Sequence, residues 1–368
     1  MNRAASATAR TSASAGAWLL AAILLFSVRA AAQSITITEF PTNYSGPAEI
    51  TTGPDGNLWF TQFGNAIGRM TPAGVLTDFR LPALCNFPEL QSCEPNGIAA
   101  GPDGNLWFGQ YISTSLGRVT LTGQFTQFEV GEDVAYVTFG ADGNLWGTKP
   151  EISRIVRFAP NGSVTNFDIP NSDAAPGGIT AGPDGNIWFA EYSRSKIGRI
   201  TLSGVMTEFP LANRYSAPNH ITSGPDGALW FTETGGSTGR IGRITTTGVI
   251  TEFVVSSPST APSGITTGPD GNLWFTENLG DNIGRITPSG VITEFPTPTP
   301  HCGAQGITAG PDGNVWYACH GKRIVGRVNL VPTGGPSAQP IPTLSTWMLA
   351  AFAVLLALAG ATRLAMRV

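Results

Sequence analysis

Residues 264–295 read GITTGPDGNLWFTENLGDNIGRITPSGVITEF, and most of the chain is built from copies of this stretch. The Asp-Gly pair inside it recurs seven times, and each pair is followed by a Trp and then by an Arg. The spacing of about 40 residues is typical of a four-stranded propeller blade. The Asp residues of the seven repeats are Asp55, Asp103, Asp142, Asp184, Asp226, Asp270 and Asp312. The sequence therefore predicts an all-β fold, a seven-bladed β-propeller with four strands per blade.

Each repeat contains four short strand patterns separated by turn residues. In the quoted copy the expected strands are 264–268, 273–277, 282–287 and 291–295. Pro269 presets φ for a turn, and Gly271 can take the positive φ that closes a hairpin. No stretch between the two chain ends has a sustained helical period, so short strands at 8–12-residue spacing are expected throughout.

The two ends of the repeat array complement each other. Residues 34–40, SITITEF, copy the fourth strand of a repeat, whereas the last repeat stops after its third strand at 324–330. We therefore expect residues 36–40 to complete the seventh blade. Such closure would remove the open sheet edges that a linear stack leaves.

We expect the repeats to form a single domain, residues 33–331. The amino-acid composition of the chain bears on which partners this domain could bind. Charged residues make up 12% of the chain and the net charge is −4, so the sequence lacks the basic footprint of a nucleic-acid-binding protein. We expect no nucleic-acid partner, a monomer, and a small-molecule or peptide ligand at one mouth of the channel.

The first 32 residues have the layout of a secretory signal peptide. Arg3 and Arg10 precede the apolar core 17–28, and the Ala residues 30–32 form a small-residue cleavage pattern. The alternative is an N-terminal membrane anchor, for which the apolar core is short.

The C-terminal segment has its own organisation. A Pro/Gly linker, residues 332–340, leads to residues 341–368, in which the apolar run 344–361 has about the minimum length for a transmembrane helix. The opening IPTLS, the following Trp347 and the basic end with Arg363 and Arg367 resemble the IPTL-type C-terminal sorting signal. The resemblance implies an exosortase-like protease as partner, a transient inner-membrane anchor, and release to the cell surface or outside in a Gram-negative bacterium. A plain single-span anchor is the alternative.

The four cysteines fall into two local pairs. Cys85 and Cys93 lie in a long insertion between the first two repeats, and Cys302 and Cys319 lie in the last repeat. Two disulfides are expected if the protein is exported, and four free thiols are the alternative.

The repeat unit resembles a known enzyme family. Its segments PxGITxGPDGxLWFTE, IGRIT and GxITEF are similar to those of the streptogramin lyases, also called virginiamycin B lyases, over roughly residues 36–330. The resemblance implies a seven-bladed propeller that opens a cyclic depsipeptide by elimination at an ester. It also implies Mg²⁺ held near Glu residues, and a His base, at one mouth of the channel.

The family's Glu at the end of the WFTE strand is matched by Glu191, Glu233 and Glu277. Three carboxylates from adjacent blades could bind a hard cation such as Mg²⁺ and stabilise an enolate. Alternatively, these side chains are polar strand ends or partners of nearby Arg residues.

The family's His position is not matched by a histidine. That position holds Ala48, Asn96, Ala135, Gly177, Asn219, Ser263 and Gln305 in the seven repeats. The nearest imidazole is His220, one residue later, and a one-residue shift on a strand turns a side chain to the other face unless a bulge restores it. His220 is nevertheless the candidate catalytic base, with an exposed or hydrogen-bonded structural role as the alternative, and His301 and His320 are expected to be structural.

We expect a structural role for the Arg of each repeat. An acidic or amide residue lies in the following strand: Glu39, Asp78, Gln127, Asn166, Glu208, Glu252 and Glu294. The sequence suggests cross-strand pairs between these residues and the Arg.

Two functions remain open at this stage. The first is an exported carbon–oxygen lyase acting on a cyclic peptide ester with Glu233, Glu277 and His220. The second is a non-catalytic extracytoplasmic propeller that binds a glycan, peptide or protein, because one fold can carry many functions.

Overall fold

The computed structural model describes residues 35–44, 46–82, 94–236, 238–257 and 260–330. These residues form seven antiparallel sheets of four strands each. The predicted seven-bladed propeller is therefore confirmed. Two single-turn 3-10 helices, Pro150–Ile152 and Tyr192–Arg194, follow the second strands of blades 3 and 4.

The strands lie close to their predicted positions. Blades 1 and 2 contain β2 Pro47–Thr52, β3 Leu58–Gln62, β4 Ala66–Met70, β5 Leu76–Arg80, β6 Pro95–Ala100, β7 Leu106–Gln110, β8 Ser115–Val119 and β9 Phe125–Glu129. Blades 3 and 4 contain β10 Val137–Phe139, β11 Leu145–Lys149, β12 Arg154–Phe158, β13 Val164–Asp168, β14 Pro176–Ala181, β15 Ile187–Glu191, β16 Lys196–Ile200 and β17 Met206–Pro210. Blades 5 and 6 contain β18 Pro218–Ser223, β19 Leu229–Glu233, β20 Arg240–Ile244, β21 Ile250–Val254, β22 Pro262–Thr267, β23 Leu273–Glu277, β24 Asn282–Ile286 and β25 Ile292–Pro296. Blade 7 contains β26 Ala304–Ala309, β27 Val315–Cys319, β28 Ile324–Asn329 and the N-terminal strand β1 Thr36–Pro41.

The N-terminal strand closes the ring as predicted. β1 pairs antiparallel with β28, from Thr36 opposite Asn329 to Pro41 opposite Ile324. Asn329 Nδ2 donates hydrogen bonds to the Thr36 carbonyl oxygen and to Thr38 Oγ1, both at 3.0 Å. The first and last strands of the array therefore share one sheet, which leaves blade 7 complete.

The fixed spacing from Asp to Trp has a structural reason. In blade 4, Asp184 Oδ1 accepts hydrogen bonds from Asn186 N at 3.2 Å and from Trp188 Nε1 at 3.0 Å. Although burial alone would raise the pKa of Asp184, these hydrogen bonds hold it below its ordinary value. Gly185 has φ +76°, which favours glycine in the turn. The turn thus binds the indole N–H of a fully buried Trp.

The hydrophobic core consists of separate clusters, each shared by two neighbouring blades. Trp188 and Ile197 of blade 4, for example, pack with Leu229 and Phe231 of blade 5. Burying aromatic and aliphatic surface on both faces of every sheet stabilises the ring and fixes each blade against the next.

The cross-strand pairing expected for the repeated Arg is wrong. Arg199 lies opposite Thr207, and Glu208 lies opposite Gly198. Arg199 and Glu208 therefore point to opposite faces of the sheet, because side chains alternate along a strand. The Arg199 guanidinium instead lies 5.5 Å from the Trp188 ring centroid, and its Nη1 donates to the Thr246 carbonyl oxygen of the next blade at 3.0 Å.

Several expectations concern segments outside the described residues. These are the signal peptide, the linker, the sorting signal with its apolar run, and the Cys85–Cys93 disulfide. Within the described part of the chain, no helix is long and apolar enough to cross a membrane. The Cys302–Cys319 disulfide is present and is confirmed.

Candidate functional site

The innermost strands approach one another so closely that one position is glycine in four blades: Gly97, Gly178, Gly264 and Gly306. A Cβ on Gly178 would lie 2.8 Å from the His220 Cα, and one on Gly306 would lie 2.7 Å from the Glu49 Cα. Close approach of the neighbouring backbone thus excludes a side chain at this position in these four blades. The other three blades carry Glu49, Tyr136 and His220 at the same position.

These three residues meet at the hub of the propeller, and we call them the hub cluster. His220 Nε2 lies 3.0 Å from Glu49 Oε1, and the Tyr136 ring packs edge-on to the imidazole with a centroid distance of 4.9 Å. Because they come from blades 1, 3 and 5, the contact crosses the central space. The side chains of His220 and Glu49 are 11% and 12% exposed.

The hydrogen bonding suits a proton-transfer role for His220. If Nε2 carries the proton and donates it to Glu49, Nδ1 keeps a lone pair, and Nδ1 is buried without a hydrogen-bond partner. Burial, together with the nearby Glu49 charge, raises the pKa of Tyr136 well above its ordinary value. The phenol therefore stays neutral beside the imidazole.

The three glutamates of the WFTE strands occupy a different environment. Glu191, Glu233 and Glu277 end β15, β19 and β23, and all three are fully buried. Burial raises the pKa of Glu191 to about 8, of Glu233 to about 7 and of Glu277 to about 8, because a carboxylate is poorly solvated inside a blade.

A second acidic residue of the same blade adds to each shift. Glu208 on β17 raises the pKa of Glu191, and Glu294 on β25 raises that of Glu277, because a second carboxylate nearby disfavours the charged form. Glu191 and Glu208 lie on one face of their sheet, on either side of Gly198. Both carboxylate oxygens of Glu191 and of Glu233 are buried without a hydrogen-bond partner, whereas Glu277 Oε2 accepts from Asn282 Nδ2 at 2.9 Å within its own blade.

The same position makes blade-internal contacts in other repeats. Gln62 Nε2 donates to Asp78 Oδ1 at 2.8 Å in blade 1, and the buried Lys149 Nζ donates to Glu132 Oε2 at 2.8 Å in blade 3. The described residues contain no group of three or more His, Cys, Asp or Glu side chains placed to hold a metal ion. As positioned, the three glutamates do not fit one shared Mg²⁺, and a metal requirement stays a prediction.

The other two histidines lie in blade 7 and its loops. The His301 side chain is 91% exposed, with Nδ1 3.9 Å from Asp281 Oδ2. His320 packs against Phe63 at a centroid distance of 4.7 Å, and burial lowers its pKa. These contacts agree with the structural roles expected for both.

Sequence reasoning identified His220 but missed Glu49 and Tyr136. A sequence signal for these two residues was available. Most repeats have glycine at this position, and a large polar residue there is not what close backbone packing favours. The sequence did not show that Glu49, Tyr136 and His220, which come from blades 1, 3 and 5, are in contact with one another.

Seven four-stranded blades with a polar cluster at the hub define the class of this protein as a seven-bladed β-propeller with a central candidate site. The model of the Virginiamycin B lyase family matches residues 27–238 and 88–346, and the chain belongs to that family. The sequence has no match among curated proteins.

Three solved structures illustrate the similarity. A streptogramin B lyase is 36% identical, with a TM-score of 0.74 over 80% of this chain and 97% of that one. Selenomethionine-substituted virginiamycin B lyase from Staphylococcus aureus is 34% identical, with a TM-score of 0.74 over 81% of this chain and 100% of the other. A catalytically inactive variant of the Staphylococcus aureus enzyme with quinupristin is 33% identical, with the same TM-score and coverage.

Proposed function

We propose that this protein is an exported carbon–oxygen lyase that opens a cyclic peptide ester by elimination, with His220 as the base. The observation that carries the proposal is the 3.0 Å contact between His220 Nε2 and Glu49 Oε1 at the hub. A carboxylate on one ring nitrogen fixes the tautomer and leaves the other nitrogen able to accept a proton. The family membership of the chain supports the reaction class.

The reaction needs no water as reactant. His220 takes the proton from the carbon next to a carbonyl, and the electron pair left behind forms a carbon–carbon double bond. The neighbouring carbon–oxygen bond breaks, and the ester oxygen leaves as part of a carboxylate. Glu49 stabilises the imidazolium that forms, in the way that a carboxylate orients a catalytic histidine elsewhere.

The Cys302–Cys319 disulfide supports export, because disulfides persist in oxidising compartments. We propose the same route as the terminal sequences suggest: an exported chain, transiently anchored in the inner membrane, then at the cell surface or outside. An exosortase-like protease would cut the sorting signal.

A specific observation favours the second candidate, a non-catalytic propeller that binds a glycan, peptide or protein. The position that carries the His in the resembling family holds no histidine in any repeat, and no metal-binding group forms among the described residues. A binding propeller requires neither.

One assay separates the two candidates. Purified protein is incubated with a streptogramin B, and the product is followed by mass and absorbance. Elimination gives an isomer of unchanged mass with a new double bond, whereas hydrolysis adds one water. We expect turnover by the wild type, loss in His220→Asn, and no loss in the matched control His301→Asn. Parallel reactions with Mg²⁺ and with a chelator test the predicted metal requirement.

Turnover no faster than in buffer would remove the lyase proposal and leave the binding candidate. Equal turnover by His220→Asn and wild type would remove His220 as the base. Ring opening with addition of water would replace elimination by hydrolysis.

A further inference from the structure

The junction between blades 2 and 3 is built differently from its neighbours. At the other junctions that can be compared, the glycine of the turn after the third strand packs on a Phe of the preceding blade. In blade 4, for example, a Cβ on Gly204 would lie 2.5 Å from the Phe167 ring of blade 3. The corresponding Gly162 of blade 3 has no atom within 4 Å of such a Cβ. The turn of blade 3 therefore stands away from Phe128 of blade 2.

A cavity of about 240 Å³ opens at this junction, and we call it the junction cavity. Its aromatic lining consists of Trp107, Phe128, Phe139 and Phe158, and its charged lining consists of Arg118 and Asp103. Trp107 is 7% exposed, whereas the corresponding Trp in every other blade is fully buried. The cavity is on the outer part of the blades and is distinct from the hub cluster.

Two residues that differ from the repeat pattern, Phe158 and Phe139, add aromatic rings to the junction cavity. Phe158 ends β12, where the other blades have an aliphatic or Met side chain: Met70, Val119, Ile200, Ile244, Ile286 and Val328. The Phe158 ring lies 5.7 Å from Trp107 and 5.2 Å from Phe128, centroid to centroid. This larger side chain occupies the junction and holds the blade 3 turn off Phe128.

Phe139 replaces a small residue of the innermost strand. At this position Thr52 Oγ1 donates to the Ala309 carbonyl oxygen at 2.6 Å, and Ser223 Oγ donates to the Ala181 carbonyl oxygen at 2.7 Å. Such bonds join adjacent blades. A phenylalanine cannot donate one, and neither can the alanines Ala100, Ala181 and Ala309 at this position of blades 2, 4 and 7. What distinguishes the junction of blades 2 and 3 is therefore the apolar wall that the Phe139 ring adds.

Arg118 keeps donor capacity at the cavity. In four other blades the equivalent Nη1 donates to a carbonyl oxygen of the next blade at 2.9 to 3.2 Å, from Arg69, Arg157, Arg199 and Arg327. Arg118 donates a 3.4 Å bond to Thr126 Oγ1 and lies 3.6 Å from Asp103 Oδ2, and its guanidinium is 5.4 Å from the Trp107 and 5.3 Å from the Phe128 ring centroid. Its Nε is buried without a partner.

Loss of the arginine bond does not by itself open a junction. Arg243 turns to Asp226 at 2.6 Å instead of bonding the next blade. A Cβ on Gly290 would nevertheless lie 2.2 Å from the Phe253 ring, so that junction stays closed. The cavity therefore results from the aromatic substitutions at positions 139 and 158.

We propose that the junction cavity binds a planar aromatic acid, with its ring among Phe128, Phe139 and Phe158 and its carboxylate on Arg118. The volume suits a single substituted ring rather than a drug-sized ligand. The carboxylate takes the position that a backbone carbonyl oxygen holds at the closed junctions, and a guanidinium suits it by charge and by its planar donor pair. Arg118 also disfavours a cationic ligand among the aromatic rings.

Benzoate is the probe, titrated into the full chain by calorimetry and by saturation-transfer NMR. We expect a dissociation constant on the order of 1 mM, because a small rigid ligand gains little beyond the cost of its immobilisation. Benzamide should bind more weakly, and benzylamine should not compete. Arg118→Gln should weaken benzoate binding at least about 10-fold.

Two further variants keep the result interpretable. Phe158→Ile restores the aliphatic residue of blades 4 to 6 and should abolish binding by letting the junction close, with an unchanged or higher melting temperature. Arg157→Gln removes the matched arginine of a closed junction and should leave benzoate binding unchanged. The proposal would be overturned if benzoate did not bind at a concentration 10-fold above the expected dissociation constant, or if benzylamine bound with equal affinity. It would also be overturned if Arg118→Gln and Phe158→Ile both bound benzoate as tightly as the wild type.

Discussion

His220 Nε2 and Glu49 Oε1 lie 3.0 Å apart, although 171 positions separate the two residues in the chain. One is on β18 of blade 5 and the other on β2 of blade 1, so the contact exists only because the ring closes. Glu49 acts on the substrate through His220 and is therefore a positioning residue.

Glu49→Gln should lower kcat of ring opening by about 10- to 100-fold and leave KM nearly unchanged, because the amide keeps the shape but not the charge that stabilises an imidazolium. Steady-state kinetics measures both constants. Glu151→Gln, a change on the exposed side of blade 3, serves as the control. A rise in KM with unchanged kcat would show that Glu49 binds substrate instead of orienting the base.

The buried glutamates make stability depend on pH. The pKa of Glu191 is about 8 in the folded protein against an ordinary value of 4.5, so the folded state holds a proton that the unfolded state releases. The stabilisation is complete below the unfolded pKa and is lost as pH rises toward the folded pKa. Between pH 5 and 8, stability should fall by at most about 1.4 kcal/mol per pH unit for this group.

Glu191→Gln should flatten the fall over this pH range, because the amide is neutral at every pH. Denaturant unfolding in metal-free buffer at pH 5 and pH 8 measures the difference. Asp168→Asn, a matched change of an exposed carboxylate to its amide, should leave the slope as in wild type. Equal slopes in Glu191→Gln and wild type would contradict a protonated Glu191 in the fold.

The packing of Gly198 against Phe189 should show strong coupling. A Cβ on Gly198 would lie 2.2 Å from the Phe189 ring. Gly198→Ala should therefore destabilise the protein by about 1–3 kcal/mol, as overpacking does. Combining it with Phe189→Leu should recover part of that loss relative to the sum of the two single changes. A double-mutant cycle in denaturant measures the coupling, and strictly additive effects would contradict the direct contact.

The N-terminal strand should contribute to global stability through Asn329. Its Nδ2 donates to the Thr36 backbone and to the side chains of Thr36 and Thr38. Asn329→Ala should cost about 1–3 kcal/mol because the partly buried Thr36 carbonyl loses a donor. Thermal unfolding measures the loss, with the exposed Leu279→Ala as control. A change no larger than that of Leu279→Ala would show that the strand pairing alone holds β1 in place.

The sequence by itself determined the architecture. The recurring turn, the buried Trp and the alternating strands are local patterns, and a period of about 40 residues repeats them until a ring forms. The match of residues 34–40 to a missing fourth strand also predicted the closure correctly. His220 was singled out because it lies one residue after the position that holds the His in the resembling family.

Only the tertiary structure decided which side chains meet. A repeat pattern does not state which face a residue takes or which blades approach across the hub, since both depend on strand register and on closure of the ring. The pairing expected for Arg199 and Glu208 was wrong because they lie on opposite faces. The sequence also did not predict that Glu49 and Tyr136 contact His220 from other blades, or that Phe139 and Phe158 open one junction. These contacts are made between repeats, and the sequence period carries no information about them.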